Sequence, residues 1–155
     1  MPDSVADLLA AWYATHYDIR LPQGRTVTLR IGQPLPAVAC EWLRTDPFGV
    51  FVTACNPRSQ RLPEAENAAR LATLRLGLGA LACRMVEGVG HAPDDDWSEP
   101  GLFVAGLDLA TVDALARTLA QDAIVLAPAQ GAVRLRLYRG EWRATLAEAA
   151  SIDWA

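Results

Sequence analysis

The sequence contains no lysine, since all fourteen of its basic residues are arginine. A chain without lysine cannot form a Schiff base through that side chain. The GxGxxG, Walker and GxSxG patterns are also absent, so the usual motifs for dinucleotides, nucleotide phosphates and an exposed nucleophilic serine are missing. We therefore predict no cofactor, and no motif indicates a reaction class.

Cysteine and histidine are scarce, with three and two copies. Cys40, Cys55 and Cys83 form no CxxC pair, so a zinc site built from cysteines is not predicted. Isolated cysteines in odd number are typical of reduced thiols, and we expect a cytoplasmic protein. Cys55 with His91 as its base would make a nucleophilic pair. A cysteine at the end of an apolar strand, however, more often serves in packing.

An acidic loop follows His91 and contains Asp94, Asp95, Asp96 and Glu99. Loops rich in carboxylates can bind calcium, but the ligand and glycine spacing of a calcium-binding loop is missing here. We interpret the segment as a solvated surface loop and predict no metal site.

Long apolar runs are missing as well, because none approaches the ~18 residues that a membrane span requires. Residues 1–4 contain no basic residue, so we expect no signal peptide and no membrane partner. The net charge of -4 argues against broad nucleic-acid binding, which uses a basic face.

What is present is enough apolar sequence for a real core, with 52% hydrophobic residues among 155. The apolar run over residues 48–54 predicts a central strand that is covered on both faces. Residues 63–81 carry a leucine stripe at helical spacing. Further along we predict strands at 82–89, 101–105 and 123–126, with a helix capped by Asp108 before the last of them.

The order strand-helix-strand-strand-helix-strand over residues 48–126 predicts an α/β (α+β) fold with a ferredoxin-like split βαβ core. We expect an extra N-terminal helix and strand within residues 3–31, the helix being capped by Asp3 or Ser4. A C-terminal hairpin strand and tail over residues 127–155 complete one domain spanning residues 1–155. Residues 32–47 indicate no clear element.

The C-terminal hairpin strand and tail support two further predictions. Arg134 and Arg136 alternate with leucines in the hairpin strand, so we expect them to point outward and protect an exposed sheet edge. Trp142 and Trp154 are expected to dock the C-terminal tail. His16 falls among residues of the first helix and receives no role.

The predicted topology determines which loops meet. The first two core strands end where the third and fourth begin, so the loops at 55–62 and 90–100 and the Gln121 corner converge at one end of the sheet. We predict a polar crevice there for a small polar or anionic ligand, aided by the N-terminus of the helix that starts at Pro63. The candidate ligand-binding residues are Asn56, Ser59, Gln60, Asn67, Arg70, Trp97 and Gln121.

Three functions remain open for this crevice and its surroundings. The leading one is a small binding or regulatory module. The second is a metal-independent hydrolase or transferase with Glu66 or Glu99 as general base. The third is a protein-protein interaction module or homodimer that uses an exposed apolar surface, including Trp142 and Trp154. A purely structural alternative stands beside them, in which the polar residues only satisfy the backbone of a tight turn.

Four short segments occur in a recognisable order: Thr53-Ala54-Cys55-Asn56-Pro57, Glu66-Asn67, Trp97-Ser98-Glu99 and Gln121-Asp122-Ala123. In this set and order, the chain resembles the bacterial family catalogued as domain of unknown function 3293, over roughly residues 17–126. Pro100-Gly101 stand where that family has a small hydroxyl residue. The resemblance supports the choice of site residues and implies no activity.

Overall fold

The computed structural model describes residues 4–94 and 96–155, within which the chain forms four α-helices and one eight-stranded sheet. The helices are α1 (Val5–Ala14), α2 (Ala37–Leu43), α3 (Glu64–Gly79) and α4 (Leu109–Thr118). The strands are β1 (His16–Leu21), β2 (Arg25–Leu29), β3 (Phe48–Val52), β4 (Arg84–His91), β5 (Ser98–Ala105), β6 (Ala123–Pro128), β7 (Arg134–Leu137) and β8 (Ile152–Trp154). Asp3 and Asp95, which entered the predictions above, lie outside the described residues.

The strands follow the order β2-β1-β4-β5-β3-β6-β7-β8 across the sheet. Neighbouring strands are antiparallel, except that β7 and β8 are parallel. The apolar strand β3 lies between β5 and β6 and is buried from Gly49 to Val52. This confirms the predicted mixed α/β class, and it places the strand with the longest apolar run in the interior of the sheet.

Helices cover the sheet on both faces and create two apolar layers. One layer joins Phe51 and Phe103 of the sheet to Leu9 of α1 and Leu43 of α2. The other joins β3 and β5 to α3 and α4 and contains Val50, Val52, Leu102, Leu71, Leu74, Leu78, Val112 and Ala116. Strand residues alternate between the two layers, as the pleat of a strand requires.

Two glycines make room for the Phe51 ring inside the first layer. A Cβ atom on Gly88 or on Gly101 would lie 2.7 Å from a carbon of that ring. On Gly101 it would also lie 2.8 Å from the carbonyl oxygen of Val52. The sheet therefore closes over Phe51 only because these two positions carry no side chain.

The N-terminal region differs from the prediction in two elements. Residues His16–Leu21 form a strand, although His16 was expected in the first helix, so the chain has two N-terminal strands instead of one. Tyr17, Ile19 and Leu21 are buried and the residues between them are not, but this alternation directly follows the helical stripe of α1 and was hidden by it. The unassigned stretch before β3 contains α2.

Strands β4 and β5 extend further into the predicted loop at residues 90–100 than expected. The hairpin between them is short, because β4 continues to His91 and β5 begins at Ser98. Glu99 and Pro100 therefore lie in a strand, where Glu99 is opposite Gly90. Fixed backbone on both sides holds Glu99 more rigidly than a loop would.

The expected outward direction of Arg136 is wrong. Arg136 is only 7% exposed, and its guanidinium binds Asp113 of α4 and Asp153 of β8. The physical reason is that β8 pairs with β7 and covers the edge that the arginines were expected to protect. Only Arg134 of the pair remains exposed.

The tryptophans of the C-terminal segment pack inward. The ring of Trp142 lies 6.2 Å from that of Trp12, and both Trp142 and Trp154 contact the first apolar layer. Half-buried rings of this kind dock the tail and leave little apolar surface for a partner. Among the described residues, the structure contains no helix long and apolar enough to cross a membrane.

Candidate functional site

The loop after β3, the first residues of β5 and the corner before β6 meet at one end of the sheet. The side-chain nitrogen of Asn56 donates to Glu99 Oε2 at 2.7 Å, and Gln121 Nε2 donates to the carbonyl oxygen of Cys55 at 2.9 Å. The backbone nitrogen of Arg58 donates to the carbonyl oxygen of Ala120 at 2.7 Å. We call this region the three-loop junction, and these contacts hold its parts together.

Asn56 is the centre of the junction and uses its backbone and both ends of its side chain. Its oxygen accepts from Leu62 N at 3.0 Å and from Asn67 Nδ2 at 2.9 Å. Its backbone nitrogen donates to Asn67 Oδ1 at 2.9 Å. Asn67 stands in the first turn of α3, so the two asparagines fix the start of that helix to the end of β3.

Asn56 also has the backbone conformation that this turn requires. Its φ is 49° and its ψ is 58°, in the left-handed region. Asparagine enters that region more easily than most residues because its short polar side chain can form local hydrogen bonds. Pro57 follows and starts a 3-10 turn, Pro57–Ser59.

Glu99 supplies a carboxylate in contact with Asn56, and it is half-buried. Burial raises the pKa of the Glu99 carboxyl from 4.5 to about 7, although hydrogen bonds from Asn56 and Thr53 act in the opposite direction. Burial also raises the pKa of Tyr17, and the nearby charge of Glu99 adds to that effect. Glu99 therefore changes charge near neutral pH, which an ordinary surface glutamate does not.

Thr53 and Cys55 close the end of β3 next to this carboxylate. The Thr53 hydroxyl donates to the carbonyl oxygen of Pro100 at 2.8 Å and accepts from Cys55 N at 3.0 Å. Cys55 is 1% exposed, and burial raises the pKa of its thiol. A buried neutral thiol is a poor nucleophile, so Cys55 serves in packing.

Arg70 and Gln121 bind backbone carbonyl groups. Arg70 donates from Nε to the oxygen of Ala54 at 2.6 Å and from Nη2 to the oxygen of Leu119 at 2.8 Å. Gln121 holds the next carbonyl of the β3 end, as described above. Both side chains therefore brace the junction, and their predicted place among ligand-binding residues remains a prediction.

Ser59 connects the junction to a partly buried ion pair. Its hydroxyl donates to Asp122 Oδ2 at 2.8 Å, and Asp122 is 4% exposed. Arg139 donates to the other carboxylate oxygen at 3.0 Å. Ser59 and Arg58 both have positive φ, so hydrogen bonds hold this turn in an unfavourable backbone conformation.

The other predicted site residues lie at the periphery. Gln60 and Glu66 are exposed, and no side chain of residues 4–94 or 96–155 is hydrogen-bonded to either of them. Trp97 is 36% exposed, and its carbonyl oxygen accepts from the backbone nitrogen of Ala92 at 3.1 Å. The structure brings together Asn56, Asn67, Glu99 and Gln121 most closely.

His91 has a partner other than Cys55. Its Nε2 lies 2.8 Å from Asp18 Oδ2, and its ring lies 5.4 Å from that of His16. His91 is paired with Ser98, the neighbour of Glu99. Because paired residues share a face of the sheet and consecutive residues do not, the side chains of His91 and Glu99 lie on opposite faces. The described part of the chain contains no group of three or more histidine, cysteine or acidic side chains placed to hold a metal ion.

Sequence reasoning missed Thr53, Asp122 and Tyr17 as neighbours of the site. Thr53 and Asp122 are inside the segments that carried the family resemblance, so that signal could have found them. Tyr17 reaches the site from β1, 82 positions before Glu99 in the sequence, and no local pattern could have indicated it. Two open hollows on the described surface lie elsewhere, one beside α3 and one beside Leu81.

One of three comparisons with known proteins identifies a related family. No curated protein and no solved structure matches the chain. A family model described as "Protein of unknown function (DUF3293)" matches residues 52–124, a shorter range than the resemblance suggested. The matched segment contains the whole hydrogen-bond network around Asn56, from Thr53 to Asp122. Over residues 52–124, just under half of its length, the chain is therefore similar to the DUF3293 family.

Proposed function

We propose that this protein is a small binding module whose site is the Glu99 carboxyl held by Asn56 at the three-loop junction. One observation carries the proposal: a half-buried carboxyl whose pKa is about 7 receives a 2.7 Å hydrogen bond from an asparagine that organises two loops. A carboxyl that titrates near neutrality can accept or donate a hydrogen bond. The ligand is a small polar molecule whose polar group pairs with Glu99.

Backbone strain at the same place supports the proposal. Four of the seven described non-glycine residues with positive φ belong to the junction, namely Asn56, Arg58, Ser59 and Ala120. Each such residue costs roughly 1–2 kcal/mol when it is not glycine. Strain of this kind is concentrated at functional sites because the surrounding structure must hold it in place.

The limits of the family match support the same location. Asn56, Asn67, Glu99 and Gln121 all fall within residues 52–124, whereas α1, β1, β2, β7 and β8 fall outside. A site shared by the family would be built from the matched segment alone. The junction meets that condition, and the His91–Asp18 pair, with one partner outside the segment, does not.

We infer a more specific architecture from the strand order. The run β4-β5-β3-β6, with α3 and α4 as its connections, has the neighbour relations of a split βαβ unit. We therefore propose a ferredoxin-like core within a single domain, in a cytoplasmic protein of bacterial origin. In this arrangement, loops that are distant in sequence meet at one sheet end, which is where a binding site would be built.

A thermal-shift screen tests the binding proposal with three proteins: wild type, Glu99→Gln and Glu66→Gln. In Glu99→Gln the new amide oxygen can still accept from Asn56, so the variant keeps the fold and loses the titrating charge. Glu66→Gln makes the same chemical change at an exposed position of α3. A ligand at about 100 times its Kd adds roughly 2.7 kcal/mol of stability, which raises Tm by about 5–10 °C in a chain of this size.

The expected result is a ligand that raises the Tm of wild type and Glu66→Gln and leaves that of Glu99→Gln nearly unchanged. If Glu99→Gln responds as strongly as wild type, the site is elsewhere. If no small polar or anionic compound shifts wild type, and Asn56→Ala melts far lower, the network has only a structural role.

A metal-independent hydrolase or transferase is the second candidate, and the raised pKa of Glu99 favours it. General acid-base catalysis is most effective when the pKa lies near the working pH. Glu66, the alternative base, is exposed and lies outside the network. A screen of ester, amide and phosphoester substrates would identify this activity, and the rate must fall in Glu99→Gln but not in Glu66→Gln.

A further inference from the structure

Glu99 differs from the other carboxyls in the interior of this protein because it has no cation beside it. Among the described residues, every other buried or half-buried carboxyl is paired with a basic side chain. Arginines pair with four of these groups and His91 with the fifth, namely Asp46, Asp113, Asp122, Asp153 and Asp18. No ion pair within residues 4–94 and 96–155 includes Glu99. Because charges in protein interiors are normally paired, one positive charge is missing at this place.

The groups around Glu99 do not supply that charge. The Asn56 side chain that donates to its carboxylate is neutral. Tyr17 of β1 and Cys55 after β3 lie close enough to interact with the charge of Glu99, and burial raises the pKa of both, so both are neutral near pH 7. Arg70 of α3 is charged, but its Nε and Nη2 bind carbonyl oxygens of the backbone.

An aromatic side chain flanks the same carboxyl. The backbone nitrogen of Ala92 donates to the carbonyl oxygen of Trp97 at 3.1 Å, so the pairing of β4 and β5 continues one step beyond the two strands. Trp97 is two positions before Glu99, which places both side chains on the same face of the hairpin. Trp97 is 36% exposed. The face of an aromatic ring attracts an ammonium or guanidinium ion, and tryptophan attracts it most strongly.

We propose that the ligand of the Glu99 site is a small cation, a primary amine or a guanidine, whose charged group binds the Glu99 carboxylate beside the Trp97 ring. This inference rests on the binding function proposed above and narrows its ligand class. Asp94 and Asp96 are exposed in the loop of the same hairpin, and their charges attract a cation and repel an anion. The ligand therefore completes a charge pair that the chain itself leaves open.

The charge of Glu99 makes this binding depend on pH in one direction. Burial raises the pKa of the free carboxyl to about 7, whereas a primary ammonium stays charged up to about pH 10. Only the ionised carboxylate forms the charge pair, so the Kd of a cation should fall about tenfold between about pH 6 and pH 8. An anionic ligand would need the protonated carboxyl and would show the opposite trend.

NMR titrations with n-butylamine, butylguanidine, butyramide and butyrate at about pH 6 and pH 8 test the charge of the ligand. On the wild type and on the matched control Glu66→Gln, both cations should bind more tightly than butyramide, and their Kd should fall about tenfold as the pH rises. Glu99→Gln should bind the cations at least about tenfold more weakly at the higher pH and without pH dependence. Trp97→Leu should weaken their binding by about two- to fivefold and retain the pH dependence.

The cation inference is overturned if butyrate binds the wild type more tightly than n-butylamine, or if neither cation binds it at about 100 mM. It is also overturned if the pH dependence persists in Glu99→Gln, because another group, such as His91 on the opposite face, would then cause it. The thermal-shift screen described above separates this failure from that of the binding function. A neutral or anionic ligand that Glu99→Gln no longer binds would keep the function and remove only the cation, whereas a screen without any ligand would remove both.

Discussion

The titration of Glu99 leads to a quantitative prediction about stability and pH. Burial raises the pKa of this carboxyl from 4.5 to about 7 in the folded chain. In the unfolded chain the carboxyl is in water and has its ordinary value. A difference of about 2.5 between the two pKa values corresponds to roughly 3 kcal/mol of unfolding free energy.

The direction in which stability changes with pH depends on whether the folded or the unfolded chain binds the Glu99 proton more tightly. Between about pH 4.5 and pH 7, the unfolded chain releases the Glu99 proton and the folded chain retains it. Folding therefore takes up a proton, and stability decreases as the pH rises through this window. Below the window the group makes no difference, and above it the loss is complete and constant.

Urea unfolding of wild type, Glu99→Gln and Glu66→Gln at about pH 5 and pH 8 measures this effect. We expect the wild type and Glu66→Gln to lose roughly 2.5 kcal/mol more than Glu99→Gln between the two pH values, equivalent to about 5–10 °C in Tm. The matched control at Glu66 removes an exposed carboxyl and accounts for any general effect of charge. Equal losses in wild type and Glu99→Gln would refute the assignment of a raised pKa to this group.

Three further predictions concern the structure around the site and the tail. Asn56→Ala should cost about 3 kcal/mol of stability, since it leaves several buried polar groups without partners. Asn56→Gly should cost about 1 kcal/mol less, because glycine tolerates the left-handed backbone. Equal losses of the two variants in chemical denaturation would contradict a role for backbone strain. Gly101→Ala should destabilise the protein by about 2 kcal/mol, because the new Cβ would lie 2.7 Å from the Phe51 ring. Gly77→Ala in α3 has open space around it and should stabilise the protein by up to about 1 kcal/mol. Thermal melts that rank the two variants the other way would contradict this packing of Phe51. Arg136→Ala should lower the free energy of unfolding by about 3 kcal/mol, because it leaves Asp113 and Asp153 without their shared cation. In urea unfolding, a loss below about 1 kcal/mol would mean that solvent already screens these two ion pairs.

Local sequence patterns predicted the centre of the fold. The apolar run of β3 and the leucine stripe of α3 depend on neighbouring residues, so periodicity alone revealed them. The meeting of Asn56 with Glu99 is not local, because 43 positions separate them. It could be expected only from the topology that those local elements implied, together with the concentration of polar residues in three loops.

Features set by distant partners were not predictable from patterns. Arg136 has the alternation of an edge strand, and its burial depends on Asp113 and Asp153, which belong to other elements. The strand β1 was missed because its alternating pattern begins two residues after the stripe of α1 ends. In both cases the local pattern was compatible with two structures, and tertiary packing selected one of them.

The position of β3 in the sheet has a consequence for the protein during its synthesis. Both of its neighbours come later in the chain, and β6 begins 71 positions after β3 ends, at Ala123 compared with Val52. At about 5–20 residues per second, a ribosome needs roughly 4–14 seconds to supply that second neighbour. During this interval the most apolar strand of the nascent chain has at least one edge without a partner. We therefore expect the yield of folded protein to depend on chaperones that bind short apolar segments, and to fall when translation is slowed between residues 52 and 123.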